Sequence, residues 1–538
     1  MKVRSLLDEL SARALDAPWL LSALGPVSPY GERVFDTCVP FRPGEEVPAA
    51  TRARRVAGIA EKLLPAALDA ARETMRSVPD AGTAIARASM GDALSDANLL
   101  ELLRYVDACL RLDTLTGDVP ELDRVANEAV RAVLGTLERG RAGGFGFYLD
   151  DAFAADLAAA RASLAQMQAE YDAVRGRSVA AAAQALGREI SGTEFIVMRE
   201  DLRGSLPAGV RVVREAPTYV LCEIDADDAS LAALDRRERA AAEVAAAEAG
   251  VRTALSDVVR THAAALDASM QAFGTNDVLV AAARFAQQYR CVVADVVARP
   301  VVSFEEGVYV PLARELEREG RSFTPIALQL EDSAVLTGPN MGGKSVALRT
   351  CGFIALCAAL GVPVPAARAT VGLFGEIVWL GAGTEGEGGL LSSFAREVVR
   401  LRDVMNRGRT PALALLDEFA RTTTPREGRA IVVAVLASLR EAGAIAFAAT
   451  HLSGVAEGAG VRHFAVRGLR GIPERPATDD LHAALQTLAA SMDYTIEEVR
   501  EGQERSSDAI ALASLLGLDS RVVEAAYREL RNPATWTP

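Results

Sequence analysis

Residues Thr337–Ser345 read TGPNMGGKS, and this stretch decides the fold class because it fits the phosphate-binding pattern G-x-x-x-x-G-K-[ST]. The apolar run AVL before it predicts a buried strand, and the apolar residues after it predict a helix. Glycines in such a turn let backbone N–H groups point at phosphate oxygens. The predicted phosphate-binding residues are Gly338, Pro339, Asn340, Met341, Gly342, Gly343, Lys344 and Ser345.

Two side chains of this loop carry the expected chemistry. Lys344 is one of only three lysines in the chain, beside Lys2 and Lys62, and we expect it to reach the outer phosphates of a nucleotide. A compact ammonium fits that position, whereas the planar fork of arginine does not. Ser345 is expected to offer its hydroxyl to Mg²⁺. The alternative is an incidental glycine-rich turn, and the retention of a rare lysine counts against it.

A second motif, LALLDE at Leu413–Glu418, is an apolar strand that ends in two acids. Asp417 is the expected Mg²⁺ residue, acting through water, and Glu418 is the expected general base for an attacking water molecule. Taken alone this motif is weak, since many strands end in acidic pairs. Its position after the phosphate loop, with alternating strands and helices between them, favours the catalytic interpretation.

Two weaker signals accompany these motifs. His451 follows the apolar run AIAFA, so it is either a sensor of the outermost phosphate or a surface histidine at a strand end. Ser392, Ser393 and Phe394 precede Glu397 and follow the glycine-rich run GAGTEGEGG. On spacing alone, a helix N-cap is the preferred interpretation of these serines.

Composition excludes several classes of protein. Half of the 538 residues are hydrophobic and 24% are charged, which excludes wholesale disorder. The net charge of -14 argues against coating of nucleic acid by bulk positive charge. The six cysteines are scattered without a C-x-x-C pair, so we expect reduced thiols and no zinc site. The chain start is unlike a signal peptide and no apolar stretch is long enough to span a membrane, so a cytoplasmic location is expected.

The predicted secondary structure differs between the two halves of the chain. Residues 1–298 are predicted to be mostly helical, with long helices over 148–175 and from Asp227 to about Arg290. Within this region, residues 190–225 predict a small antiparallel sheet from the segments FIVMRED, VRVVREA and TYVLCEI.

From Arg299 onward, short apolar runs alternate with helical stretches, which is typical of an α/β domain. We therefore predict a helical region over 1–298 followed by an α/β domain of the phosphate-loop type over 299–538. The predicted buried strands are Ser333–Leu336, Glu376–Leu380, Ala412–Leu416 and Ala444–Ala448.

Taken together, these motifs resemble the MutS family of ATPases, within the ABC-type group of P-loop ATPases. The phosphate loop TGPNMGGKS is nearly a signature of that family, and DEFARTTTPREG, ATHL and SSFAREV are similar to its other motifs. Arg421 and Gly428 match the family pattern, whereas Ala420, Thr422 and Glu427 stand where Gly, Gly and Asp are usual. The resemblance is strong over about 299–525 and weaker over the helical region.

The resemblance implies ATP and Mg²⁺ as ligands and a homodimer as the working form. By the same resemblance, Ser392 reaches the γ-phosphate of the opposite subunit, and Phe323 lies where an aromatic side chain stacks on adenine. The last helices then form a dimerisation segment. The implied function is an ATP-hydrolysing switch in which nucleotide is held between two subunits.

The expected partner is less defined, because the chain starts directly with core-like helices. We expect no mismatch-reading domain, connector or nuclease-like tail, and the Phe-x-Glu at Phe304–Glu306 abuts the ATPase region. In residues 190–225, acidic residues interrupt the basic ones, so few phosphate contacts are expected there. The basic residues are Arg199, Arg203, Arg211 and Arg214, and the acidic residues between and beside them are Glu200, Asp201, Glu215 and Glu223.

Two hypotheses follow. One is a MutS-like binder of DNA structures in repair or recombination, without mismatch specificity. The other is a MutS-related ATPase that remodels a protein client, as the reactivating ATPases of cobalamin-dependent aminomutases do.

Overall fold

The structure is a computed structural model. It describes residues 3–142, 146–202, 205–339, 342–381, 393–407, 411–469, 491–499, 510, 513–514 and 518–530. The described chain forms two compact units that do not follow sequence order. The first contains Met1–Ser77, Thr114–Asp123 and Gln271–Pro538, and the second contains Val78–Asp113 and Arg124–Met270. The division at residue 298 drawn from the sequence stays a prediction.

Helices dominate the first half of the chain. They are α1 Glu9–Ala14, α2 Ala17–Ala23, α3 Pro29–Thr37, α4 Glu46–Lys62, α5 Pro65–Arg76, α6 Gly82–Ser89, α7 Asp96–Thr116, α8 Glu128–Leu137, α9 Ala155–Leu186 and α10 Asp228–Gln288. In the second half, the described helices are α11 Val310–Arg318, α12 Lys344–Ala359, α13 Ser393–Arg407, α14 Pro425–Glu441, α15 Val455–Ala459 and α16 Ser520–Leu530. No described helix is both long and apolar enough to cross a membrane.

The long helix expected over 148–175 begins later than predicted. Asp150 accepts a hydrogen bond from the Ala152 N–H and caps a short 3-10 turn over Asp151–Phe153. Ala154 is then extended, with φ of -153°, so α9 starts at Ala155 and continues to Leu186. The local aspartate turn therefore prevails over helix propensity in FYLDD.

The strands within the described residues fall into four sheets. Their bounds are β1 Arg141–Ala142, β2 Gly146–Phe147, β3 Glu194–Met198, β4 Val210–Glu215, β5 Tyr219–Ile224, β6 Asp295–Val297, β7 Val302–Gly307, β8 Ile326–Leu330, β9 Ala334–Thr337, β10 Arg368–Gly372, β11 Glu376–Gly381, β12 Ala412–Asp417, β13 Ile445–Ala449, β14 Arg462–Leu469 and β15 Met492–Glu498. The sheet orders are β1-β2, β3-β5-β4, β6-β10-β7-β8 and β11-β12-β13-β9-β14-β15.

The six-stranded sheet positions the candidate site. Strands β11, β12, β13, β9 and β14 run parallel, and β15 closes the sheet as an antiparallel partner of β14. The four strands predicted in this region match β9, β11, β12 and β13 to within one residue at each end. A helical region combined with a mixed, mainly parallel six-stranded sheet agrees with the predicted α plus α/β fold class.

The three-stranded sheet lies within the segment 190–225 for which the sequence predicts one. Both outer strands pair antiparallel with β5. One face packs Phe195, Val197, Val220 and Cys222 against the end of α9. On the other face, Ile196 and Met198 are exposed.

A buried carboxylate fixes the start of α3 in the first unit. Asp277 of α10 is fully buried and accepts hydrogen bonds from the Val27 and Ser28 N–H groups, at 3.0 and 2.7 Å from Oδ2. Burial raises the pKa of Asp277, and these hydrogen bonds and nearby Arg72 oppose that rise. This contact leaves no room at Gly31, because a Cβ there would lie 2.3 Å from Asp277 Oδ2.

We therefore predict that Gly31→Ala destabilises the chain by about 1–3 kcal/mol, the usual cost of overpacking a filled site. Gly135→Ala in α8 is the matched control, since nothing lies within 4 Å of its Cβ position. The control is expected to be neutral or to stabilise by up to about 1 kcal/mol. Urea unfolding curves check this. Equal midpoints for the two variants would contradict the packing described here.

Candidate functional site

The site forms where parallel strands end side by side. Strand β9 lies between β13 and β14, and β12 is the next strand beyond β13. The residues that follow β9, β12 and β13 therefore meet at one edge of the sheet. These residues are Gly338, Glu418 and His451, which the sequence predicted as parts of one site.

The glycine-rich loop needs glycine at two positions. Gly338 has φ of +146° and Gly343 has φ of +81°, a region that residues with a Cβ rarely occupy. A Cβ on Gly343 would also lie 3.1 Å from the ring of Tyr494 in β15. Helix α12 starts directly after Gly343, so its first N–H groups face the loop. Asn340 and Met341 lie outside the described residues.

Lys344 closes this loop on itself. Its Nζ donates to the carbonyl oxygens of Gly338 at 3.1 Å and Pro339 at 3.0 Å, and it lies 3.1 Å from His451 Nε2. The residue is only 6% exposed. Burial lowers the pKa of Lys344, and the carboxylates of Glu418 and Asp417 oppose that shift. A buried cation with two loop carbonyls as partners is suited to exchange them for phosphate oxygens.

Ser345 and Asp417 are joined directly. The Ser345 hydroxyl donates to Asp417 Oδ1 at 2.9 Å, which brings together the two residues predicted to hold a metal ion. Burial raises the pKa of Asp417, and the hydrogen bond from Ser345 opposes that rise. A hydroxyl and a carboxylate are oxygen ligands of the kind that Mg²⁺ accepts, with water and phosphate oxygens completing its shell. The residues present therefore fit a magnesium ion.

Glu418 is held at both of its carboxylate oxygens. Oε1 lies 2.7 Å from His451 Nε2, and Oε2 accepts a hydrogen bond from Arg421 Nη1 at 2.8 Å. Burial acts to raise the pKa of Glu418, but the contacts with His451 and Arg421 outweigh it and the pKa lies below its usual range. The carboxylate is therefore ionised at neutral pH, as a proton acceptor must be.

His451 Nε2 lies between Lys344 and Glu418. When Nε2 carries a proton, it donates to Glu418 and cannot accept from Lys344. When Nε2 is bare, it accepts from Lys344 instead. The position of one proton on His451 therefore sets which of the two charged groups it engages.

Two predicted residues are not brought to this cluster by a described contact. Phe323 is partly exposed in the connection between α11 and β8, and its stacking on adenine stays a prediction. Ser392 lies outside the described residues, and its reach into an opposite subunit also stays a prediction.

Sequence reasoning missed the part played by Glu397. Its Oε2 accepts a hydrogen bond from the Ala420 N–H at 3.0 Å, two residues beyond Glu418. Burial raises the pKa of Glu397, and the Ala420 N–H opposes that rise. Ala420 has φ of +62°, a backbone conformation that favours glycine. This agrees with the glycine that is usual here in the family that the motifs resemble. Because the partner of Glu397 is a backbone N–H, no residue pattern could have revealed the contact.

Fold and site together define a class: an α/β domain with a glycine-rich loop between a central parallel strand and a helix, facing a serine–aspartate pair and a held glutamate. Residues 334–532 match the family model described as MutS domain V. This region is therefore similar to MutS domain V, which supports the resemblance to MutS-family ATPases inferred from the motifs.

Curated relatives agree with the family match. The chain is 29% identical over 292 residues to Endonuclease MutS2 of Agathobacter rectalis, covering 52% of this chain and 33% of that protein. It is 30% identical over 281 residues to Endonuclease MutS2 of Symbiobacterium thermophilum, covering 51% and 32%. It is 28% identical over 266 residues to Endonuclease MutS2 of Clostridium botulinum (strain Loch Maree / Type A3), covering 48% of this chain and 30% of that protein. The chain thus spans about one third of the length of these relatives.

Proposed function

We propose that the chain is a MutS-like ATPase that binds Mg-ATP at the Thr337–Ser345 loop and works as a homodimeric switch. One observation supports this above all: Lys344, the Ser345–Asp417 pair and the Glu418–His451 pair converge at one edge of the parallel sheet. These are the groups that phosphoryl transfer to water requires, namely a phosphate-binding cation, metal ligands and a proton acceptor.

We propose one role for each of these groups. Lys344 would leave the carbonyls of Gly338 and Pro339 for the outer phosphates, and Ser345 with Asp417 would hold Mg²⁺. Glu418 would accept a proton from the attacking water. The water oxygen would bond to the terminal phosphorus, and the bond from that phosphorus to the β-phosphate oxygen would break. A bound Mg²⁺ would neutralise part of the negative charge on the phosphates.

We further propose that ATP binding closes the dimer and that hydrolysis opens it, which would move the helical region. Ligand binding can drive such a change only if the closed state binds ATP more tightly. Light scattering of the chain with and without Mg-ATP tests this. A shift from monomer to dimer mass on nucleotide addition supports the switch, and an unchanged monomer contradicts it.

We propose DNA without mismatch specificity as the first candidate partner, in keeping with the family. A protein client is the second candidate, and the three-stranded sheet favours it. Arg199 pairs with Glu215 at 2.5 Å, and Arg211 pairs with Asp225 at 2.9 Å, so these arginines are already neutralised. Their neighbours Ile196 and Met198 are exposed and apolar. The match covers only about a third of those relatives, so it does not carry the endonuclease activity of their name to this chain.

ATPase titration with linear, branched and mismatched duplexes separates the two partner classes. Stimulation by a branched junction above linear duplex, at about 150 mM salt, supports DNA. An ATPase rate that no DNA changes favours the protein client.

We predict that any preference for a mismatched over a matched duplex is less than about tenfold, or under about 1.4 kcal/mol. The Phe-x-Glu at Phe304–Glu306 is not placed to read a lesion, because Phe304 is only 2% exposed within β7. Competition binding at physiological salt measures the preference. A mismatch preference with nanomolar affinity would overturn this prediction.

A further inference from the structure

The segment Val3–Leu15 covers one edge of the six-stranded sheet. Among the described strands, β11 is at one end of the six-stranded sheet, and its N–H groups at Ile377 and Trp379 point toward the N-terminal segment Val3–Leu15. The Ile377 N–H donates to Leu6 O at 2.9 Å, and the Trp379 N–H donates to Ser11 Oγ at 2.9 Å. Leu6 and Leu15 are buried, at 2% and 0% exposure. The N-terminal segment is therefore part of the ATPase fold.

The same segment binds helix α13 through Arg400. Arg400 Nη2 donates to Asp8 Oδ1 at 2.8 Å and to Ser11 Oγ at 3.0 Å. The Arg400 side chain is 13% exposed and Ser11 is fully buried, so water screens the ion pair only partly. Asp8 also accepts from the Ser11 N–H and caps α1, which holds its carboxylate in place.

Helix α13 in turn reaches the turn that carries Glu418. Glu397 lies three residues before Arg400 and binds the Ala420 N–H. Leu401 and Val404 of α13 are buried in the same apolar core as strands β11, β12 and β13. One continuous chain of contacts therefore runs from Asp8 through Arg400 and Glu397 to the residues beside Glu418.

We propose that Arg400 is a positioning residue, and that with Asp8 and Ser11 it braces α13 so that Glu397 holds the Ala420–Glu418 turn in the geometry for hydrolysis. This rests on the proposed role of Glu418 as proton acceptor. The brace touches neither Lys344 nor Ser345, so it sets turnover and leaves nucleotide binding unchanged. A misplacement of about 1 Å in a catalytic group can cost up to about 100-fold in rate.

The test uses Arg400→Gln, Asp8→Asn and the double variant in the full chain. Asparagine is as good an N-cap as aspartate, so Asp8→Asn removes the charge and keeps the cap of α1. Arg402→Gln is the control, because Arg402 lies on the same helix and pairs only with exposed Asp403 among the described residues. Measurements are kcat, Kd for a fluorescent Mg-ATP analogue, and amide hydrogen exchange across 393–407.

The brace predicts that each single variant lowers kcat by roughly 10- to 100-fold with Kd within about twofold of wild type. The double variant is expected to be no slower than the worse single variant, because both remove one interaction. Exchange should accelerate in α13 and stay slow in α14.

Three results would overturn the proposal. The first is a kcat of Arg400→Gln equal to that of Arg402→Gln, and the second is kcat losses that multiply in the double variant. The third is a weakening of Mg-ATP binding in parallel with the fall in kcat. If the wild-type chain hydrolyses no ATP, the proposed function fails on its own. In that case amide hydrogen exchange across α13 tests whether Arg400 braces the helix. An exchange rate in Arg400→Gln equal to that of wild type would reject the brace.

Discussion

Replacing Glu418 by glutamine is expected to preserve Mg-ATP binding and to slow hydrolysis by roughly 10²–10⁴-fold, the usual cost of losing a general base. Glutamine keeps the size and the hydrogen-bonding reach of the side chain but cannot accept the proton of water at neutral pH. The hydrogen bonds of Lys344 with the loop carbonyls and of Ser345 with Asp417 do not involve Glu418. Single-turnover hydrolysis and nucleotide retention on a desalting column measure the two properties separately.

Glu441→Gln is the control, since Glu441 is exposed at the end of α14. It is expected to hydrolyse ATP like wild type. Under the proposed switch, Glu418→Gln should also accumulate as a closed dimer with Mg-ATP. A Glu418→Gln variant that turns over ATP at the wild-type rate would remove Glu418 from the mechanism.

Replacing Lys344 by alanine should weaken Mg-ATP binding by at least about tenfold and up to about 100-fold, and bring turnover to background. A charge-assisted hydrogen bond contributes about 1.5–3 kcal/mol, which corresponds to that range. The helical body should stay folded, because Lys344 Nζ contacts the loop carbonyls and His451 and lies outside the apolar core. Calorimetric titration with Mg-ATP measures the loss.

Lys62→Ala is the matched control for charge. Lys62 pairs with Glu121 and is 43% exposed, so its removal should leave nucleotide affinity unchanged. Equal affinity in Lys344→Ala and Lys62→Ala would reject the phosphate-loop assignment.

The strands around the site could be predicted because each is a continuous apolar run, as expected for strands buried on both faces. Asp417, Glu418 and His451 follow such runs, so their meeting at one edge could also be inferred. The resemblance to the family marked Ala420 as a departure from glycine, and its positive φ supplies the physical reason.

The contacts of the N-terminal segment could not be predicted. The Trp379 N–H and Ser11 are 368 positions apart, and Arg400 and Asp8 are 392 apart. Leu6, Leu7 and Leu15 predict an amphipathic start, but periodicity does not say which sheet edge they cover. The close contact between Asp277 and Gly31 could not be predicted either, because it depends on the approach of α3 to α10 and on no local sequence pattern.

Phosphate release by the wild-type chain, compared with Lys344→Ala, tests the central claim most directly. We predict Mg²⁺-dependent hydrolysis that yields one phosphate for each ADP and that falls to background in Lys344→Ala or when EDTA removes the metal ion. Hydrolysis at the same rate in Lys344→Ala, or none by the wild-type chain with saturating Mg-ATP, would contradict the proposal that this site hydrolyses ATP.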